Sequence, residues 1–292
     1  MTIILNVATD SGPFPIELGL GERMYLLGPN GSGKSSLVHS FITQHNAIAR
    51  RISAHRQTWF TSDSLDMTAQ AKRQSEKSIQ SRDAQPDSRW KDDMAAQRPN
   101  IAVYDLIDAE NVRARDIAAL VTNGDISNAV AKSKSPAPVT SINELMCLSG
   151  MPIELEVKEN ERVLARRNGS DPYSIAELSD GERNALLMAA SILTAPQESL
   201  ILVDEPERHL HRSIVTPLLH HLFERRSDCY FVISTHEVLV AADDARAQVL
   251  LLRGCSYSGR QATEWSADLL EADSDIPEEV RREILGARRK LL

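Results

Sequence analysis

Gly28-Pro29-Asn30-Gly31-Ser32-Gly33-Lys34-Ser35 matches the pattern G-x-x-x-x-G-K-[ST] at every position. Glycines in such a run let consecutive backbone N–H groups turn towards an anion, and a helix opening at its end adds the positive end of its dipole. Just upstream, Met24-Tyr25-Leu26-Leu27 is a short apolar run of the kind that makes a buried strand. Just downstream, Ser36 to Gln44 carries Leu37, Val38 and Phe41 at helical spacing. Strand, loop and helix are the setting the motif requires, and a glycine turn matching by accident would lack both flanks. The stretch therefore predicts a phosphate cradle built from Pro29, Asn30, Gly31, Ser32, Gly33, Lys34, Ser35 and Ser36. In it Lys34 reaches the β- and γ-phosphates of a nucleotide and the Ser35 hydroxyl ligates Mg²⁺.

Around this stretch lie 292 residues, enough for one large α/β domain carrying an insertion. The net charge of −8 argues against a global basic field of the kind that drives non-specific nucleic-acid binding. Cys147, Cys229 and Cys255 are far apart and form no C-x-x-C pair, so a reduced compartment is expected, with each cysteine a small core residue. No apolar run approaches a membrane span and no signal-peptide pattern opens the chain, which predicts a soluble, cytoplasmic protein without membrane partners.

Ahead of the cradle, Ile3 to Val7 and Ile16 to Leu18 read as strands separated by a Gly12-Pro13 turn. After its helix a strand is expected near Ile52, within a basic cluster of Arg50, Arg51, His55 and Arg56. From Thr61 to Asn100 the only branched aliphatic residues are Leu65 and Ile79, so this segment buries little surface and reads as a polar insertion, helical at best. Trp59 and Trp90 flank it and read as anchors pinning its ends. Ile101 to Val121 regains helical spacing, Asn123-Gly124 and Ser133 to Pro138 mark loops, and Ser141-Ile142-Asn143-Glu144 reads as a capping box opening a short helix. Ile153 to Val157 alternates and can pair with Arg162 to Arg167 as a hairpin. A helix at Asn184 to Leu193, a buried strand at Leu200 to Val203, a helix near Ile214 to Phe223, and strands at Tyr230 to Ser234 and Val249 to Leu252 complete the pattern.

Three further motifs follow in the second half. Leu200-Ile201-Leu202-Val203-Asp204-Glu205 is an apolar strand ending in two acids, where Asp204 can hold Mg²⁺ and its waters and Glu205 can polarise an attacking water. Leu178-Ser179-Asp180-Gly181-Glu182-Arg183 precedes a helix. Taken alone it is a good N-cap with an acidic first turn, but Ser179 and the Gly181 backbone could also offer donors to a phosphate. Ser234-Thr235-His236 puts a histidine at the C-terminal end of a strand, where ligands collect in open α/β sheets.

Taken together and in this order, the cradle, LSDGE, LILVDEPE and STH resemble the ABC-type ATPases, and within them the non-transporter branch with the RecF, SMC and OLD-family proteins. The resemblance implies an α/β fold: an ABC-type ATPase head with a P-loop mixed sheet, flanking helices, an N-terminal antiparallel β part and a polar helical insertion. The expected division is an N-terminal lobe over 1–60, the insertion over 61–150, a C-terminal lobe over 151–270 and a helix or junction over 271–292. ATP and Mg²⁺ are the implied cofactors. Glu205 and His236 would be catalytic, His236 as the switch histidine sensing the γ-phosphate. Ser179, Gly181 and Glu182 would form the signature that caps ATP held by a second copy, and Asp180 replaces its usual second glycine. Ser35, Asp204 and Gln57 would serve the metal, Gln57 as the glutamine of the Q-loop, a place for which Gln70 competes. Pro206 to His211 resembles the D-loop. A homo-oligomer, at least a dimer through ATP, is implied by that mechanism.

The polar insertion is similar to that of the ATPases of bacterial anti-phage systems; Ile276 to Val280 opens a helix, and Ile284 to Leu292 resembles the junction to a Toprim-like nuclease. A frayed basic helix accounts equally well for that end of the chain. The resemblance thus implies an ATPase of PARIS type with a Toprim-like nuclease effector and a phage-protein trigger, and it expects ATP hydrolysis without nuclease activity from this chain. The competing reading is a DNA-repair ATPase of RecF type that binds DNA, and whether nucleic acid is contacted stays open.

Overall fold

The computed structural model describes residues 1–53, 67–159, 162–259 and 261–272, so Gln57, Trp59 and the segment from Ile276 onward lie outside the described residues. The chain divides into two compact units, one of residues 1–56, 77–93 and 195 onward, the other of 57–76 and 94–194.

The first unit opens with the antiparallel pair β1 (Thr2–Thr9) and β2 (Gly12–Gly19), which are joined by a turn at Asp10-Ser11, just ahead of the expected Gly12-Pro13, and bury Leu5, Val7, Ile16 and Leu18 on one face. Then come β3 (Arg23–Leu27), α1 (Lys34–Gln44) and β4 (Ala49–Ser53). Further along the chain are β8 (Leu200–Asp204), α7 (Arg212–Arg225), β9 (Tyr230–Thr235), α8 (Val238–Ala242), β10 (Gln248–Ser258) and β11 (Gln261–Leu270). One six-stranded sheet runs in the order β11-β10-β3-β9-β8-β4, with every pair parallel except β10 with β11. A strand covered on both faces reads as an unbroken apolar run, and β8 and β9 are buried at every position. Leu37, Val38, Phe41 and Ile42 of α1 join Leu26, Leu202, Val232, Leu250 and Trp265 in the core that fastens this helix to the sheet.

In the second unit α3 is a single helix over Gln97–Thr122, followed by α4 (Ile126–Lys134), α5 (Pro138–Leu148), the sheet β5 (Ile153–Lys158), β6 (Arg162–Arg167), β7 (Tyr173–Ser174), and α6 (Asp180–Leu193). α3, α5 and α6 pack on one another, and α5 also packs on β5, where the Asn143 side chain bonds both the N–H and the carbonyl of Leu155. The polar helix α2 (Ala69–Asp83) contributes to both units.

Four expectations are corrected. Ser141 is not an N-cap: α5 begins at Pro138 behind an extended Ala137, because proline at the first helical position needs no N–H partner and presets φ. The strand at Val249 extends through Ser258 and turns at Gly259, φ 64°, into β11; residues 253–258 have no apolar run, and the antiparallel partner makes them a strand. Trp90 is 56% exposed beneath the Arg89 guanidinium, 5.1 Å from its ring centre, and is not a buried anchor. Of the cysteines Cys229 is buried, Cys255 partly so and Cys147 exposed.

At the start of β3, Arg23 grips Asp244 with two bonds, Nε to Oδ2 at 2.5 Å and Nη2 to Oδ1 at 2.8 Å, and its guanidinium lies 5.3 Å from the Phe223 ring centre. The Asp244 side chain is 1% exposed, so removing Arg23 leaves a buried carboxylate without its charge partner. Arg23→Ala is expected to cost about 3–5 kcal/mol, read as a lower urea midpoint at an unchanged denaturant slope.

Candidate nucleotide site

Parallel strands deliver their C-terminal ends to one edge of a sheet, and ligands bind outside that edge. In this chain the register makes the ends coincide: Leu27 of β3 lies opposite Thr235 of β9, and Asp204 of β8 opposite Ser234. Gly28, Glu205 and His236 are each the first residue beyond their strand, so the three motifs emerge side by side.

From β3 the chain enters a loop with Asn30 and Gly31 exposed at its tip, Ser32 buried, and Gly31 and Gly33 both at φ 87°. Gly33 is the N-cap of α1, and the first N–H groups of that helix have no carbonyl ahead of them. Two glycine positions of the loop are closed by packing, Gly28 by packing alone and Gly33 by torsion as well. A Cβ on Gly28 would stand 2.5 Å from the Leu252 carbonyl oxygen, and one on Gly33 would stand 2.7 Å from both Cys255 Sγ and Trp265 Nε1. The indole of Trp265 donates to the Gly33 carbonyl at 3.3 Å, so the β10–β11 hairpin backs the loop. Lys34 Nζ donates to the carbonyls of Gly28 at 2.7 Å and Pro29 at 3.1 Å. Burial lowers its pKa, and the nearby carboxylates of Glu205, Asp204 and Glu207 oppose that shift without cancelling it. Ser32 Oγ is buried and has no hydrogen-bond partner among the described residues. Ser35 stands partly exposed in the first turn of α1, and Ser36 Oγ accepts from Arg89 Nη1 at 3.0 Å.

Across the edge, Asp204 is 1% exposed and its Oδ2 lies 3.3 Å from Arg51 Nη2, while Arg51 Nη1 donates to the Ser88 carbonyl. Glu205 takes a left-handed backbone, φ 48°, a conformation that costs a non-glycine residue of order 1 kcal/mol and is held by its N–H donating to the Ser234 carbonyl at 2.8 Å. That conformation lifts the Glu205 carboxylate off the strand, 3.6 Å from His236 Nδ1 and 3.6 Å from Arg208 Nη1. Glu207 returns to the same histidine: its Oε1 accepts from Thr235 Oγ1 at 2.7 Å and from the His236 N–H at 3.2 Å, and lies 3.1 Å from His236 Nδ1. Burial raises the Glu207 pKa, and the Thr235 and His236 contacts oppose that shift.

The residues suit a nucleotide with Mg²⁺. Mg²⁺ takes one or two protein oxygen ligands beside waters and phosphate oxygens, and Ser35 and Asp204 are hard oxygen donors of that kind. Among the described residues no group of three or more His, Cys, Asp or Glu side chains is placed to hold a metal. Gln57, the third metal candidate, lies outside the described residues.

Ser179, Gly181 and Glu182 stand in the second unit, at the start of α6. Ser179 and Glu182 form a reciprocal capping box, with Ser179 N–H and Oγ both donating to Glu182 Oε2, at 2.9 and 2.6 Å. Glu182 also pairs with Arg167, and together these bonds hold its carboxyl below the ordinary range despite burial. Within the chain these contacts are those of a helix cap.

Sequence reasoning passed over Glu207, Arg51, Arg89 and Trp265. The acid two places beyond Glu205 was a signal for Glu207. Arg51 showed only as a member of a basic cluster, and Arg89 and Trp265 come from segments farther from the cradle that no local pattern marks.

A six-stranded, mostly parallel sheet, with the P-loop strand one place removed from the strand ending in Asp204-Glu205, flanking helices and an antiparallel β part define an ABC-type ATPase head. The chain belongs to the family described as "AAA domain, putative AbiEii toxin, Type IV TA system", whose profile matches residues 81–242. No protein of curated function matches the sequence. Among solved structures it is similar to a metal-chelate type ABC transporter in an inward-facing conformation, with 14% identity, TM-score 0.47, and 98% of this chain and 89% of that one covered. It is also similar to the Smc head domain of Pyrococcus furiosus, with 13% identity, TM-score 0.46, and 99% and 100% covered. A nucleotide-free ATP-binding cassette from an ABC transporter matches at 14% identity and TM-score 0.43, with 98% and 96% covered. These are distant likenesses and say nothing of substrate or partner.

The two glycines with φ 87° separate torsion from packing. Gly31→Ala has nothing within 4 Å of its new Cβ and is expected to lose only about 1 kcal/mol. Gly33→Ala adds overpacking against Cys255 and Trp265, a further ~1–3 kcal/mol, and is expected to weaken nucleotide binding much more. Urea unfolding and calorimetric titration with ATP read the two effects.

Proposed function

We propose that the chain is a Mg²⁺-dependent ATP hydrolase that assembles through ATP as a dimer or higher oligomer and governs an associated effector in anti-phage defence. The observation that carries the hydrolase reading is the common exit of Gly28, Glu205 and His236 at one sheet edge. Lys34 binds the terminal phosphates, exchanging its bonds to Gly28 and Pro29 for phosphate oxygens, and the loop and first-turn amides of α1 take the rest of the phosphate charge. Ser35 and Asp204 would hold Mg²⁺, which would supply positive charge against that developing on the phosphates. Glu205 orients the attacking water and accepts its proton, and His236 lies beside Glu205 as the group that senses the γ-phosphate.

In the oligomer, Ser179, Gly181 and Glu182 of one copy cap the nucleotide held by the P-loop of another. The effector we favour is a Toprim-like nuclease, released by a phage-protein trigger. The family description, which names a toxin of a toxin–antitoxin system, supports a chain that works with a second component.

Lys34→Ala removes a charge-assisted contact worth about 1.5–3 kcal/mol and is expected to weaken ATP binding more than about tenfold by calorimetry. Glu205→Gln keeps the shape without the base, so it is expected to bind ATP normally and stall before phosphate release. Wild-type turnover in that variant would remove Glu205 from the reaction.

Ser179→Arg is expected to abolish turnover while sparing ATP binding by the separate chain, beyond the ~1 kcal/mol lost with the cap. Mixed with Lys34→Ala, it restores part of the activity, because one composite site then joins a sound P-loop to a sound signature. Absence of rescue, with a strictly monomeric and active wild type, would refute assembly through ATP.

A further inference from the structure

Lys34 and Ser35 open α1 and are assigned to the terminal phosphates, while Ser36, the third residue of that helix, is met by an arginine from another part of the chain. Arg89 Nη1 donates to Ser36 Oγ at 3.0 Å. Arg89 closes the 3-10 turn Pro86–Arg89, and that turn is fixed from several sides. Its own Nε donates to the Pro86 carbonyl at 2.8 Å, and its guanidinium lies 5.1 Å from the Trp90 ring centre. Arg51 Nη1 donates to the Ser88 carbonyl at 2.8 Å, and the buried Ser88 hydroxyl to the Asp83 carbonyl at 2.9 Å. Just ahead of the turn, the Ala84 carbonyl stands 3.2 Å from Nε2 of His39, on α1 itself. The guanidinium is thus brought to the first turn of α1 by a segment docked on that helix.

This is the wrong end of a helix for a cation. Leu37 is the first residue of α1 whose N–H reaches a carbonyl behind it, that of Gly33 at 3.0 Å, so the amides of Lys34, Ser35 and Ser36 carry the positive end of the helix dipole. Lys34 adds one full charge there and Arg89 a second, although cations are favoured at the opposite end. An anion between them reverses the sign of these terms. With Lys34 and Ser35 given to the β- and γ-phosphates, the phosphate of ATP that remains is the one joined to the nucleoside. We propose that Arg89 is a nucleotide-binding residue whose ligand is this α-phosphate, Nη1 exchanging the Ser36 hydroxyl for a phosphate oxygen while Trp90 supports the guanidinium plane. The inference rests on the proposed ATPase reading. Arginine suits the place, since its planar fork lies against an aromatic ring by its face and meets phosphate oxygens by its edge.

Calorimetric titration with ATP and with ADP reads the contact without turnover. Arg89→Gln removes the charge, and it is expected to weaken both nucleotides by the same factor, about tenfold or more, because both carry the α-phosphate. Loss for ATP alone would place Arg89 at the γ-phosphate, and loss for neither would take it off the nucleotide; either result overturns the proposal. Urea unfolding of the nucleotide-free chain separates a ligand contact from a structural tether. The midpoint of Arg89→Gln is expected to equal or exceed that of wild type, since a cation has left the positive end of α1. A lowered midpoint would make Arg89 a tether of its turn and overturn the proposal.

Trp90 is tested through the arginine. Trp90→Leu is expected to weaken ADP by a smaller factor, roughly two- to fivefold, the measure of a cation–π contact at a partly exposed site. Combined with Arg89→Gln it is expected to weaken ADP no further than Arg89→Gln alone, because the ring acts only through the guanidinium. Multiplied losses would put the ring on the nucleoside itself and overturn its role as the arginine's support. The Lys34→Ala variant keeps the two readings apart. If Lys34→Ala binds ATP as wild type does, the nucleotide site itself is misassigned. If Lys34→Ala binds weakly and Arg89→Gln normally, the site stands and the inference about Arg89 alone is overturned.

Discussion

The constraint on which the site depends is the parallel register of β3, β9 and β8. Leu27, Thr235, Ser234 and Asp204 are held opposite one another by backbone bonds of the central strands. Those strands are buried on both faces, so slippage by one residue would turn their side chains to the wrong face and expose the sheet ends to mismatch. Because the register cannot slip, three segments separated by as many as two hundred residues leave the sheet together. The chemistry is thus anchored to the most rigid part of the molecule, while the residues that touch a ligand sit on the turns beyond it.

That edge concentrates charge where little water reaches. Lys34, Asp204 and Glu207 are all largely buried, and each is tied to backbone or side-chain partners: Lys34 to two carbonyls, Asp204 to Arg51, Glu207 to Thr235 and the His236 amide. Burial lowers the Lys34 pKa and raises that of Glu207, and each shift is opposed by its neighbours. A cradle that already orders its charged groups loses less entropy when an anion arrives, which is the advantage of a preorganised site. The left-handed Glu205, paired through its amide to Ser234, belongs to the same economy of position, since local strain persists only where the surroundings over-determine it.

The glycine-rich loop depends on a part of the chain far from it. Trp265 and Cys255, on the β10–β11 hairpin, close the space over Gly33, and the Leu252 carbonyl closes it over Gly28. The loop therefore owes its shape to glycine torsions and equally to the wall behind it. In the second unit, the start of α6 shows the converse: Ser179 and Glu182 satisfy each other, with Arg167 completing the carboxylate, so the motif is first of all a well-made helix cap.

The sequence by itself determined the elements whose information is local. Gly28 to Ser35, the unbroken apolar runs of β8 and β9, and the helical spacing of α1 and α6 each state their structure in fewer than fifteen residues, because strand burial, helix periodicity and glycine torsion act over neighbours in the chain. From these came the P-loop, the acidic strand end and the histidine at the end of β9. Where local signals competed, the reading went astray. Ser141 carried a capping-box pattern, but Pro138 started the helix earlier, and residues 253–258 had no apolar run and became a strand only by pairing with β11. Only the tertiary structure decided that Glu207 accepts from the His236 amide, that Arg51 meets Asp204, and that Trp265 covers Gly33. Such contacts join residues from about thirty to more than two hundred positions apart, and their geometry is set by strand order and register, which no short stretch of sequence encodes.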